Sequence, residues 1–284
     1  MKTILGSRTK QVEVDTDGPF VIIGEKINPT GRKRLAAALR ERNFDYVRDL
    51  ALEQVAHGAD VLDVNVGVPG EDEVKLLPEV VGVVMQAVDA PLCIDSANKE
   101  ALAAALAVGL GKPLVNSVNG EEESLRTVLP MVKDYGAAVI GLTMDENGIP
   151  DDPEMRLSIA NKILERAAKI GIRSQDVVID PLVLTVGADS KAGWVTLQTV
   201  ELVRREFGVN INLGASNVSF GMPERDTINQ AFLALAIGAG ATCAITDPMK
   251  FSLTIRAVDL VRGRDGFGAR YIKHFRTLSA ADGS

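Results

Sequence analysis

Cysteine, histidine and aromatic residues are all scarce in this chain, and each scarcity excludes a class of protein. Among 284 residues there are two cysteines and two histidines, and aromatic side chains make up 4%. Cys93 and Cys243 each lie inside an apolar run, which reads as buried thiols in a reducing compartment rather than a disulfide framework. No cysteine or histidine spacing suggests a zinc site. No run of about 18 apolar residues occurs, and the start, MKTILGSRTKQVEV, has no long apolar core, so neither a membrane span nor a secretory leader is expected. The formal charge of -7, with no long basic run, gives no footing to nucleic-acid or membrane-surface binding. The expected location is the cytoplasm.

What is abundant is aliphatic. The hydrophobic share is 46% despite the few aromatics, a composition suited to buried parallel sheets rich in Val, Ile, Leu and Ala. Residues 2–19 alternate weakly around GSRTK and predict a short N-terminal hairpin packed on the main domain. From Phe20 a rhythm begins in which a short apolar run, a polar break and a helical stretch repeat. The runs are 20–24, 61–66, 92–96, 114–118, 138–143, 177–182, 210–216 and 243–248. Helical periods occupy Arg48 to Ala56, Glu73 to Val88, Lys99 to Val108 and Glu154 to Ile170, the last placing Met155, Ile159, Ile163 and Ala167 on one apolar face. Gly58, Gly136 and Gly171 follow helices as left-handed terminators. Eight alternations of strand and helix predict a single α/β domain folded as a (β/α)8 TIM barrel over 20–276, followed by a loose tail at 277–284. The first strand leads into EKINPTGRK rather than GxGxxG, which counts against an open dinucleotide-binding sheet.

In such a barrel, residues at the carboxyl ends of the strands face one mouth. Those ends carry Asn28, Asp63, Asn65, Asp95, Asn98, Asn116, Asn119, Asp180 and Asn217. Each could serve singly as a cap or turn residue. Together they line a mouth with carboxylates and carboxamides. His57 and His274 fall at helix ends or near the tail, where solvated or capping roles are the expectation. No strand end pairs a Ser or Cys with a base, and no predicted strand contains a lysine for a Schiff base, so acyl transfer and aldolase chemistry are disfavoured. Carboxylates accept paired N–H donors, and an asparagine matches a lactam by donating and accepting at once. A flat heterocycle with amino, amide and ring N–H groups, such as a pterin, fits that set.

The segments GEKINPTG (24–31), LDVNVG (62–67), CIDSAN (93–98), VNSVN (115–119), IDPL (179–182) and ASNVSF (215–220) resemble the pterin-binding barrel of the methyltetrahydrofolate:corrinoid methyltransferases. They resemble equally the folate domain of cobalamin-dependent methionine synthase. The resemblance implies that Asp95, Asn116 and Asp180 hold the pterin ring and that Asn217 meets its N5. It also implies mouth positions for Asn28 and Asp63, and a contact from Arg225 to the benzoyl side. The implied substrate is methyltetrahydrofolate or tetrahydrofolate, the implied partner a separate protein carrying a corrinoid (cobalamin), and the implied assembly a homodimer. Two alternatives remain. One is a condensing enzyme like dihydropteroate synthase, disfavoured because its Ser-Arg-Lys and Arg-x-His-Asp segments are missing; the other is a barrel that only binds folate.

Overall fold

The computed structural model describes residues 1–109 and 111–282. Among these, nine strands and ten helices succeed one another. The first two strands, β1 (Lys2–Gly6) and β2 (Gln11–Asp15), pair antiparallel, as the alternation around GSRTK suggests. The other seven, β3 (Val21–Ile27), β4 (Val61–Val64), β5 (Leu92–Asp95), β6 (Leu114–Asn119), β7 (Ala138–Leu142), β8 (Val177–Asp180) and β9 (Cys243–Thr246), form one curled parallel sheet in the order β8-β7-β6-β5-β4-β3-β9.

The seventh run differs from its reading as a strand. Residues 210–214 make single parallel bridges, Ile211 to Ile179 and Gly214 to Ile245, and then wind into a 3-10 turn over Ala215–Ser219. Asn212 donates its backbone N–H to Ile179 on one sheet edge at 2.9 Å, and Ile245 of the other edge donates to the Leu213 carbonyl at 2.9 Å. This stretch therefore connects both edges without a continuous ladder. Its inward residues are Asn210, Asn212 and Gly214 rather than aliphatics, and Asn210 spends its amide on Thr3 and the Val14 carbonyl.

Strand side chains alternate faces. On the outer face, residues such as Ile22, Leu62, Ile94, Val115, Val139 and Ile179 are buried against the surrounding helices. On the inner face, Val21, Ile23, Val61, Cys93, Leu114, Ala138, Ile140, Val178 and Cys243 form a second core, and Leu5, Val12 and Val14 of the N-terminal pair join it. The hairpin thus plugs the amino end of the sheet.

The helices follow ordinary rules. In α3 (Glu73–Ala87), Leu76, Leu77, Val80, Val81 and Val84 make the buried stripe. The helices α6 (Pro153–Lys169) and α9 (Pro248–Val261) each start with proline behind an aspartate whose carboxylate accepts from the first turn, Asp152 from Glu154 and Asp247 from Met249. Gly58, Gly136 and Gly171 take φ of 92°, 62° and 85°, as their place after helices requires. No helix among the described residues is long and apolar enough to cross a membrane.

Three expectations need correction. Met155 is exposed while Arg156 beside it is buried, its guanidinium taken up by carbonyls of neighbouring loops. His274, expected in a solvated or capping role, is buried in α10 (Ala269–Asp282) against Gly58, and burial and nearby Arg256 push its pKa down. Residues 277–282, expected as loose tail, continue α10; 283 and 284 lie outside the described residues.

The plug is testable. Leu5 is fully buried in the inner core. Leu5→Ala is expected to lower unfolding free energy by about 2–5 kcal/mol in urea titration, with ligand affinity at the opposite end of the sheet unchanged.

Candidate functional site

The same period of two that fills the inner core builds the site above it. Following each strand inward, Val21 and Ile23 lead to Glu25, Val61 to Asp63, Cys93 to Asp95, Leu114 to Asn116, and Val178 to Asp180. Apolar side chains fill the lower layers, and polar ones crown the carboxyl ends. The crown opens into a cavity of about 580 Å³, within the usual range for a small-molecule site. The seven residues to which the resemblance assigns a place all line it: Asn28, Asp63, Asp95, Asn116, Asp180, Asn217 and Arg225.

Asp180 is the most fully held. Its Oδ2 accepts from Asn212 Nδ2 at 2.7 Å and its Oδ1 from the Leu182 N–H at 2.8 Å. Burial pushes its pKa up to about 6, against the lowering effect of those donors and of nearby Arg156. Asp95 is raised to about 6 as well, chiefly by burial, while accepting from Asn65 Nδ2 at 3.0 Å. Asp63 is raised well above the usual carboxylate range by burial and then by the charge of Asp95. Asn116 Nδ2 reaches Asp63 Oδ1 at 3.4 Å. Of its two forms, burial and the like charge of Asp95 favour the protonated one in Asp63.

Asn217 is different. It is exposed in the 3-10 turn, its side chain makes no hydrogen bond to the described residues, and a Cβ at Gly214 would come within 3.0 Å of its Nδ2. The glycine leaves room for that amide. Arg225 donates to Ser219 Oγ and the Ser216 carbonyl, and its guanidinium stands 5.9 Å from the Phe220 ring centre.

Of the other asparagines, Asn98 caps α4 (Lys99–Leu106), and Asn119 accepts from the Glu121 N–H at 3.0 Å; neither lines this cavity. Asn65 acts through Asp95.

Sequence reasoning missed Glu25, Arg32 and Arg156. Gly24 looked like the end of the first apolar run, yet β3 continues to Ile27 and takes Glu25 and Lys26 into the strand. Gly24 is needed because the buried Gln54 carboxamide passes close enough that a Cβ would lie 2.4 Å from its Oε1, which accepts from Lys26 N–H at 2.8 Å. Continuing the alternation past Gly24 would have found Glu25. Its carboxylate accepts from Ser216 Oγ at 2.8 Å and pairs with Arg32 at 3.4 Å. Lys26, the lysine that sequence placed outside every strand, is ion-paired with Asp247. Arg156 donates to the carbonyls of Pro150, Pro181 and Leu182 at 2.7, 2.7 and 2.9 Å. It thereby pins the loop after Asp180, in which Leu182 takes a left-handed φ of 63°.

Two outcomes follow from this geometry. Arg156→Met, which orphans the Pro150 and Pro181 carbonyls and leaves Leu182 with only the Thr196 hydroxyl, is expected to cost on the order of 2–4 kcal/mol in urea unfolding. Asp180 has a folded pKa of about 6 against a reference of 3.8, so folding favours its neutral form. Its contribution is fully present below the unfolded value and is lost as pH rises through about 6, on the order of 2–3 kcal/mol in all. Unfolding free energy measured from pH 4 to 7 is expected to carry that decline in the wild type and to lose it in Asp180→Asn.

The chain is similar to known proteins. Over 265 residues the chain is 32% identical to the methylcorrinoid:tetrahydrofolate methyltransferase of Eubacterium limosum, covering 90% of this chain and 96% of that protein. It is 29% identical over 247 residues to methionine synthase of Mycobacterium tuberculosis, covering 82% of this chain but 21% of that longer protein. Dihydropteroate synthase of Yersinia pestis, solved with a sulfonamide drug complex, superposes with a TM-score of 0.73 at 18% identity, covering 92% of this chain and 99% of that one. At that identity the likeness speaks to the fold. The description "pterin binding enzyme" belongs to a family that matches residues 24–247, a span from the middle of β3 to the aspartate capping α9. The polar crown falls within that span, and the chain belongs to the pterin binding enzyme family.

Proposed function

We propose that this protein moves a methyl group between N5 of tetrahydrofolate and the cobalt of a corrinoid carried by a separate protein. The fold is then a (β/α)8 barrel in which residues 210–214 supply the eighth stave. The observation that carries the reading is the convergence of Asp95, Asn116, Asp180 and the unencumbered Asn217 on one cavity. The relative from Eubacterium limosum bears the name of this reaction.

The donor and acceptor set fits a pterin. Asp95 and Asp180, raised by burial yet ready to ionise, accept the ring's amino and N–H donors; Asn116 meets an amide edge both ways. Asn28 borders the ring, and Arg225 meets the benzoyl side. Methyl transfer from methyltetrahydrofolate breaks the N5–CH3 bond, and a neutral tertiary amine cannot leave as its anion. N5 must gain a proton. Asn217 has no proton to give, but its Oδ1 can accept a hydrogen bond from the protonated N5 as charge develops, which stabilises the transition state more than the ground state. Asp63, whose burial favours its protonated form, supplies the proton through water in the mouth, with Asp95 alongside to share it. The corrinoid contributes a cobalt(I) nucleophile that takes the methyl carbon in line, and the reverse step returns methyl to tetrahydrofolate. Its approach needs an open mouth, and Phe220 on the rim is 68% exposed. A homodimer is the proposed assembly, and light scattering tests it.

A synthase that releases pyrophosphate needs cations to neutralise the departing group. The turn at 215–219 carries Ser216, Asn217 and Ser219 instead, and Lys26 is already bound to Asp247. A barrel that merely stores folate differs from an enzyme in one readout, turnover.

In an anaerobic assay of methyltetrahydrofolate with reduced cobalamin, methylcobalamin is expected to form at a rate proportional to protein. Asn217→Ala is expected to lower that rate roughly 10²–10³-fold while weakening folate binding only severalfold. Equal, small losses in both would remove Asn217 from its role. Asp180→Asn is expected to act mainly on affinity.

A further inference from the structure

Beside the mouth lies a second cavity of about 240 Å³ that shares Glu25, Arg32, Ser216 and Arg225 with the first. It extends outward between α8 (Arg225–Ala239) and the start of α9, reaching Asn229 and Lys250. Its charges do not cancel. Lys26 pairs with Asp247, Lys250 with Asp226 at 2.9 Å, and Arg32 with Glu25 at 3.4 Å. Arg225, the fourth cation, has no carboxylate partner among the described residues and donates only to a hydroxyl and a carbonyl. One positive charge is left over.

Two further features point to a ligand. The fifteen-residue helix α8 begins here behind Glu224 with no side-chain cap, so its first-turn N–H groups add positive potential. Asn229 is 4% exposed, lines the cavity, and its Oδ1 has no hydrogen-bond partner. A buried acceptor left alone costs about 1–3 kcal/mol, so a donor is wanted there. The site therefore asks for a single negative charge with an N–H donor close to it. Pyrophosphate offers neither the low charge nor the donor.

We propose that this cavity binds a carboxylate flanked by an amide N–H, the arrangement found in the first glutamyl residue of a folate tail. The proposal rests on the folate reading above. The carboxylate meets Arg225, Lys250 and the α8 amino terminus, and the amide N–H meets Asn229 Oδ1. The pterin ring lies in the larger cavity, and the aryl group passes the shared wall near Phe220.

The test is anaerobic calorimetry on the full chain with three probes: tetrahydropteroate, which has ring and aryl group but no glutamate, tetrahydrofolate, and its triglutamate. On the wild type, loss of the glutamate is expected to weaken binding about tenfold, an advantage that shrinks as salt rises. Lys250→Met, at a side chain 52% exposed, is expected to fold normally, to leave tetrahydropteroate affinity unchanged and to reduce the advantage of the glutamate. Asn229→Leu is expected to reduce it too. If tetrahydropteroate binds the wild type as tightly as tetrahydrofolate, the subsite is overturned and the folate reading stands. If none of the three probes binds, both fail.

Discussion

Everything at the mouth depends on the strict two-residue alternation of the inner strands. A side chain two residues beyond a buried Val, Cys or Leu points into the same interior, so Asp63, Asp95, Asn116 and Asp180 inherit dry neighbours below them. The N-terminal hairpin closes that interior from beneath with Leu5, Val12 and Val14. Water reaches the carboxylates from one side only. That one-sided desolvation raises Asp95 and Asp180 to about 6, and with the like charge of Asp95 beside it, it raises Asp63 well above the usual carboxylate range.

This arrangement costs stability. Carboxyls held above their ordinary pKa weaken the folded state at neutral pH, and the surrounding structure offsets the loss with dedicated partners. Asn212 and the Leu182 N–H serve Asp180, Asn65 serves Asp95, and the buried guanidinium of Arg156 fixes the loop that carries Leu182. Asn217 stands apart from this bracing. It projects from a 3-10 turn at the rim, where a ligand atom can reach it. A rigid, desolvated floor and an unencumbered amide at the rim are what a methyl transfer at a weakly basic nitrogen calls for.

Much of this was legible in the sequence, for physical reasons. Seven of the eight apolar runs became strands of the sheet, because short aliphatic runs between helical stretches have few other ways to bury both faces. The seventh failed as a strand because Asn210 and Asn212 spend their amides on Thr3 and Asp180, across the interior, a contact invisible in local pattern. Glu25 was hidden by Gly24, which resembled a break but makes room for Gln54. Arg156 was hidden by the assumption that an amphipathic helix buries its methionine; the loop after β8 needed a guanidinium more than the core needed Met155. The second cavity is assembled from β3, the start of α8 and the start of α9, which no single segment announces.

The most direct test of this electrostatic account is proton linkage. Tetrahydrofolate binding measured by anaerobic calorimetry at pH 6, in buffers of different ionisation enthalpy, reports protons released or taken up. Carboxyls half-protonated in the free protein and ionised against pterin donors must release protons, so the observed enthalpy should change with buffer, and the release should fade toward pH 8. Tight binding with an enthalpy independent of buffer at pH 6 would contradict the claim that Asp95 and Asp180 are held near neutrality for the ligand.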